Sequence, residues 1–182
     1  MAQNTKRALA IGTTLLTVAA CAPGDLPTSR HFTLHRLADG VFAAIHVHGG
    51  TAICNAGIVD LGDETLVFDP FMTPEAARDL KRIAEEETGN PVTIVVNSHY
   101  HNDHIRGTQV FGDGVRVLAT SWTAETIPAS EALEIAWERA NAPARLEEAE
   151  AAAAVAFDSA AAREARMWVG YYRGMQIGRA HV

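Results

Sequence analysis

Positive charge is the first thing this sequence is short of. Fifteen Lys and Arg stand against 22 Asp and Glu, for a formal net charge of −7, and basic residues cluster nowhere beyond the first few positions. No nucleic-acid partner is expected, because such binding rests on a concentrated basic face. Long apolar runs are missing too. The uncharged, largely apolar stretch from Ala8 to Ala20 is too short to cross a bilayer as a helix. Cysteine is nearly absent: Cys21 and Cys54 are the only two, which excludes a disulfide scaffold. No repeat emerges. Disorder is excluded by 48% hydrophobic and 20% charged residues, and 182 residues make one ordinary domain.

What is present begins with a targeting pattern. Lys6 and Arg7 precede the apolar stretch, and Val18-Ala19-Ala20-Cys21 resembles a bacterial lipobox, with Cys21 the lipidation site. Ordinary cleavage after Ala22 satisfies the small-x-small rule equally. Either route leaves Cys54 as the only free thiol. Residues 1–21 are thus expected as a signal segment and 22–31 as a tether. The product is expected to be exported to the periplasm and, on the lipobox reading, held to the membrane by a lipid anchor. At the other end, Ile177 to Val182 corresponds to the translation of ATC GGA AGA GCA CAC GTC, a common sequencing adapter. Residues 177–182 are therefore expected to lie outside the fold, with the domain cut short before them.

Between the ends, residues 32–120 read as strands around one helix. Val41, Ala43, Ile45 and Val47 alternate with Phe42, Ala44, His46 and His48, the period of a two-faced strand. Gly49-Gly50 turns the chain, and Thr51 to Asp60 and Thr65 to Phe68 are expected as further strands. Thr73-Pro74-Glu75 combines a capping hydroxyl, a first-turn proline and an acid at the positive dipole end. The helix it opens runs to Gly89-Asn90-Pro91. Val92 to Val96 and Val115 to Ala119 are two more strands. Residues 121–176 carry helical spacing, with Leu133, Ala136, Trp137 and Ala140 on one face. A break is expected at Pro143. The order of elements predicts a layered α/β fold.

The chemistry is concentrated in Asn97-Ser98-His99-Tyr100-His101-Asn102-Asp103-His104. Four metal-ligating side chains fall within six residues, directly after a buried strand. In an extended or turning backbone His99 and His101 project to one side and can meet one cation. Asp103 and His104 then curl back toward a second. Imidazole and carboxylate suit Zn²⁺, and a catalytic zinc keeps one position open for water. Water bound there ionises near neutral pH and can attack an acyl or phosphoryl centre.

His99-x-His101-x-Asp103-His104 resembles the H-x-H-x-D-H motif of the metallo-β-lactamase superfamily. Asp69, closing a strand before a helix, is similar to that superfamily's first conserved aspartate. The resemblance covers about Phe32 to Thr120 and implies the first half of an αββα sandwich. It implies two zinc ions in the full-length protein, the first on His99 and His101 and the second on Asp103 and His104. Asp69 would orient the ligand loop, and Asp103 would also help aim the attacking water. The superfamily adds a third histidine, a bridging acid or cysteine, and a last histidine. After His104 this sequence has only His181.

The function this implies is a zinc-dependent hydrolase acting on a small ester, thioester, lactone or lactam-like substrate. A β-lactamase proper is the nearest alternative, and a non-catalytic or di-iron accessory lipoprotein on the same fold is a more distant one. The His/Asp set accepts iron as well as zinc. His46 and His48, beside the Gly49-Gly50 turn, read either as surface histidines or as part of a substrate loop. Cys54 reads as a small buried hydrophobe. Arg106 reads as a substrate anchor or as half of an ion pair.

Overall fold

A computed structural model describes residues 26–176. The expected signal segment with Cys21, the start of the tether and the 177–182 tail lie outside the described residues. The described chain is a mixed α/β fold built on one six-stranded sheet. Its strands are β1 (Phe32–Ala38), β2 (Val41–His46), β3 (Ala56–Asp60), β4 (Thr65–Phe68), β5 (Val92–Val96) and β6 (Arg116–Leu118), and they lie side by side in chain order. The first four form an antiparallel meander, and β4, β5 and β6 are parallel. The expected strand over Thr51–Asp60 is shorter than its apolar run. Residues 51–55 leave the ladder, with Ile53 at φ 70°, and pairing starts only at Ala56.

The crossover from β4 to β5 is helix α1 (Pro74–Thr88), whose ends follow the local chemistry. The Thr73 hydroxyl accepts from the Ala76 N–H at 3.3 Å. At the other end Gly89, at φ 72°, donates its N–H to the Glu85 carbonyl. Ala76, Ala77, Leu80, Ile83 and Ala84 are buried and pack with Phe32, Phe42, Ala44, Ile58, Val67 and Val95 as one core. Those residues lie on alternate positions of neighbouring strands, as sheet pairing requires. Ile45 and Phe68 at intervening positions, and Leu118 in β6, are exposed apolar side chains.

After β6 the chain turns helical, but not as its spacing suggests. Helix α3 runs unbroken over Ser121–Val155, through both Pro128 and Pro143. Pro143 removes one N–H and crowds the carbonyl one turn before it, but packing along α4, where Ala142 is buried against Tyr171 and Met175, carries the helix past it. The true break is Ala156 to Asp158. Asp158 then opens α4 (Ser159–Gln176), its carboxylate accepting from the Ala161 N–H at 2.7 Å. The inward face of α3 also differs from expectation. Leu133, Ala136, Trp137 and Ala140 are all exposed, whereas Glu138, Ala142 and Ala149 are buried. Arg106 is the reason: this buried cation draws the acidic face of α3 inward.

Candidate metal centre

The parallel strands end on one edge of the sheet, and the ligand loop is the connection leaving β5 there. Its residues His99, His101, Asp103 and His104 come together with Asp69, which follows β4. Short helix α2 (Asn102–Ile105) starts the return, with the His104 N–H bonded to the His101 carbonyl. His99 Nε2 and His101 Nδ1 lie 3.0 Å apart. Two nitrogens on one tetrahedral zinc would be about 3.3 Å apart, so the pair spans one cation without rearrangement. Both side chains reach solvent, which leaves room for water.

Asp69 is buried and serves three donors. Oδ1 accepts the Ser98 N–H at 2.8 Å, and Oδ2 accepts the Ser98 hydroxyl at 2.7 Å. Oδ2 also lies 2.9 Å from His104 Nδ1. A carboxylate oxygen only accepts, so Nδ1 is the donor in that contact, and Nε2 is the ring nitrogen turned to the Asp103 carboxylate at 3.4 Å. Asp69 itself has φ 52° and Phe71 φ 71°. Side chains rarely adopt this left-handed conformation, so strain is stored at the edge of the site. The turn is pinned from behind by Gly107, which donates to the Phe71 carbonyl at 2.9 Å. A Cβ on Gly107 would sit 1.8 Å from the Pro70 carbonyl oxygen.

Arg106, which the sequence left open between two roles, and Cys54 are each defined by their partners. Arg106 is buried and bonds Glu131 and Glu138 of α3, each at 2.9 Å, and the Tyr171 hydroxyl of α4 at 3.0 Å. Burial works against its charge, but the Glu131 hydrogen bond and the surrounding negative groups more than offset this and raise its pKa. It is an ion-pair residue, committed to the helices. Cys54 does lie in the core, but its Sγ is turned toward the ligand loop, 2.8 Å from the Asp103 carbonyl oxygen. Burial, then the charges of Asp103 and Asp69, pushes its thiol pKa upward. Sequence spacing could not show this contact, because 49 positions separate the two residues.

His46 and His48 do not join the cluster. They line a separate cavity of about 730 Å³ with His31, Thr51, Arg163 and Met167. His46 Nδ1 accepts the Ile53 N–H, and His48 lies 3.8 Å from Glu164. His31 beneath them is 3% exposed, and its Nδ1 accepts the Thr51 N–H at 3.2 Å. Burial, with a smaller push from Arg30, lowers its pKa from 6.5 against the pull of Asp79. The unfolded chain therefore takes up the proton first, so stability should fall as pH drops below about 6.5. Thermal melts of the parent and His31→Gln from neutral to acid pH check this. The variant should lose part of the acid-side slope, and parallel curves would refute the assignment.

With this geometry in place, the likenesses to known proteins can be read. Residues 49–118 match the family described as the metallo-beta-lactamase superfamily. A UPF0173 metal-dependent hydrolase of Bacillus licheniformis is 30% identical over 83 residues, covering 46% of this chain and 32% of that protein. The crystal structure of a metallo-beta-lactamase from Erythrobacter litoralis aligns with a TM-score of 0.50 at 23% identity, covering 58% of this chain and 48% of that one. A metallo-beta-lactamase from Hirschia baltica aligns at 0.49 and 18%, covering 56% and 49%. The chain thus spans about a third of the curated relative and about half of each solved structure. The Erythrobacter likeness establishes the fold, and the family match includes every residue from His99 to His104.

Proposed function

We propose that this chain is the metal-loop portion of a metal-dependent hydrolase of the metallo-β-lactamase superfamily. The observation that carries the reading is the convergence of His99 Nε2 and His101 Nδ1 to 3.0 Å beside the Asp103–His104 pair. The donor set is two or three imidazoles with a carboxylate, the chemistry zinc prefers and iron tolerates. His99 and His101 would hold one ion, and Asp103 and His104 a second. When bound, the metal supplies Lewis acidity, lowering the pKa of water and stabilising negative charge on the substrate.

The chain's own residues do the positioning. Ser98 fixes the loop on Asp69 and lies 2.9 Å from His99 Nδ1, leaving His99 Nε2 to face the cation. Asp69 fixes the ring of His104 in the same way. Asp103 presents a carboxylate toward the solvent side, where it can accept a proton from an attacking water. Tyr100 packs edge-on to His101 and to Trp122 of α3, forming an apolar shoulder beside the open position. The substrates this supports are small esters, thioesters, lactones or lactams. Export and membrane attachment through Cys21 rest on the first 21 residues alone, and acyl labelling lost in Cys21→Ser would test them.

The test is metal dependence of hydrolysis by the complete protein on a mixed panel of those four substrate classes. Chelation should abolish turnover, and Zn²⁺ should restore it. His101→Ala should lose both the activity and a bound metal equivalent. Unchanged turnover in metal-free protein would end this reading.

A further inference from the structure

We infer that Cys54 is a metal ligand, completing the second cation subsite with Asp103 and His104. The inference rests on the metal-dependent reading above and extends it to a residue outside the ligand loop. One ligand atom from each of these three side chains lies within 4.8 Å of the other two. Neighbouring ligands on a four-coordinate zinc stand roughly 3.3–3.8 Å apart, so a small inward movement closes the set. His104 Nε2 is the free nitrogen, because Nδ1 is held by Asp69.

The local backbone aims the thiol at this point. Ile53, just before it, holds φ 70°, a conformation costly for a branched side chain. The segment is anchored on both sides of Cys54. The Met72 N–H donates to the Ala52 carbonyl at 3.1 Å, and Asn55 Oδ1 accepts the His46 N–H at 3.0 Å. A cysteine serving only as a core hydrophobe would need no such aim. Here the sulfur faces the Asp103–His104 pair. On binding, the sulfur–metal bond replaces the S–H bond, and the proton leaves to solvent.

Cobalt reports the ligand directly, since thiolate ligation gives a near-ultraviolet charge-transfer band and His/carboxylate ligation gives only visible bands. The 182-residue chain carrying Cys21→Ser, with Cys54 its single thiol, should show both on addition of two equivalents of Co²⁺. Cys54→Ser on that background should lose the charge-transfer band and keep visible absorbance from His99 and His101. Visible bands that disappear in His101→Ala, with no charge-transfer band in the parent, would overturn the role of Cys54 and leave the hydrolase reading standing. No cobalt bound at all would overturn this inference, while the hydrolase reading is decided separately by metal-dependent turnover of the complete protein. If Cys54→Ser fails to fold by circular dichroism, alkylation of the parent decides. Zn²⁺ but not Mg²⁺ should protect Cys54 from iodoacetamide, and equal rates with and without bound Zn²⁺ would refute ligation.

Discussion

Replacing Arg106 with Met should lower the unfolding free energy by about 3–5 kcal/mol, the usual result of removing one partner from a buried ion pair. Its side chain is 4% exposed and those of Glu131 and Glu138 are 17% and 10% exposed, so water screens the network little. Met fills the volume but leaves two carboxylates facing each other without a cation. The Tyr171 hydroxyl, 3.2 Å from Glu138, keeps one bond of its own. The acidic face of α3 should then release from the ligand loop. Urea denaturation measures the loss, and quenching of Trp122 and Trp137 fluorescence reports whether the helix has moved. The triple variant Arg106→Met, Glu131→Gln, Glu138→Gln should recover much of the stability, because it deletes the stranded charges. A loss under about 1 kcal/mol in the single variant would show that the network contributes no more than a surface pair.

Asp69→Ala should combine instability with a loss of metal affinity. Two Ser98 donors and the His104 ring depend on this one buried carboxylate. Leaving a buried donor unpaired costs about 1–3 kcal/mol. Losing the partner that orients a ligating histidine typically costs 10–100-fold in metal affinity. Asp69→Asn is the informative control, since its carbonyl oxygen can keep the Ser98 N–H while its amide cannot accept from His104 Nδ1–H or from the Ser98 hydroxyl, which can turn to solvent. Its stability should lie near the parent's while its metal affinity follows Asp69→Ala. Calorimetric zinc titration beside a denaturant melt separates the two. If both variants bind metal like the parent, Asp69 serves only the turn.

The parts of this fold that were legible in the sequence are those whose causes are local. Thr73, Pro74 and Gly89 mark the ends of α1 by their own chemistry, and the structure places caps there. The candidate donor cluster was legible because its four side chains fall within six residues, but its anchoring on Asp69 spans 35 positions and was not written in that spacing. The helical segment was not legible, because its orientation answers to Arg106, at least 25 positions from its carboxylates. Apolar periodicity put Leu133 and Trp137 inside, but a buried guanidinium outweighs two hydrophobic side chains that can remain in water. Pro143 misled in the opposite sense: a proline weakens one turn, while packing along α4 decides whether the helix continues. Cys54 faced the loop through a strained backbone at Ile53, which no pattern of hydrophobicity records.

The placement of Asp69 has a consequence for the order of assembly. The carboxylate and the His104 ring it holds are 35 positions apart, joined by one helix and one pair of parallel strands. Everything needed to aim the loop histidines therefore lies inside a single strand–helix–strand unit of modest contact separation. Parallel pairing forms more slowly than local helical contacts, so this unit closes only when β4 and β5 have met. A cation can therefore meet donors already oriented by Asp69 only after β4, α1 and β5 have come together. Pulsed hydrogen exchange with and without Zn²⁺ should then show the metal changing protection only after β4 and β5 are protected.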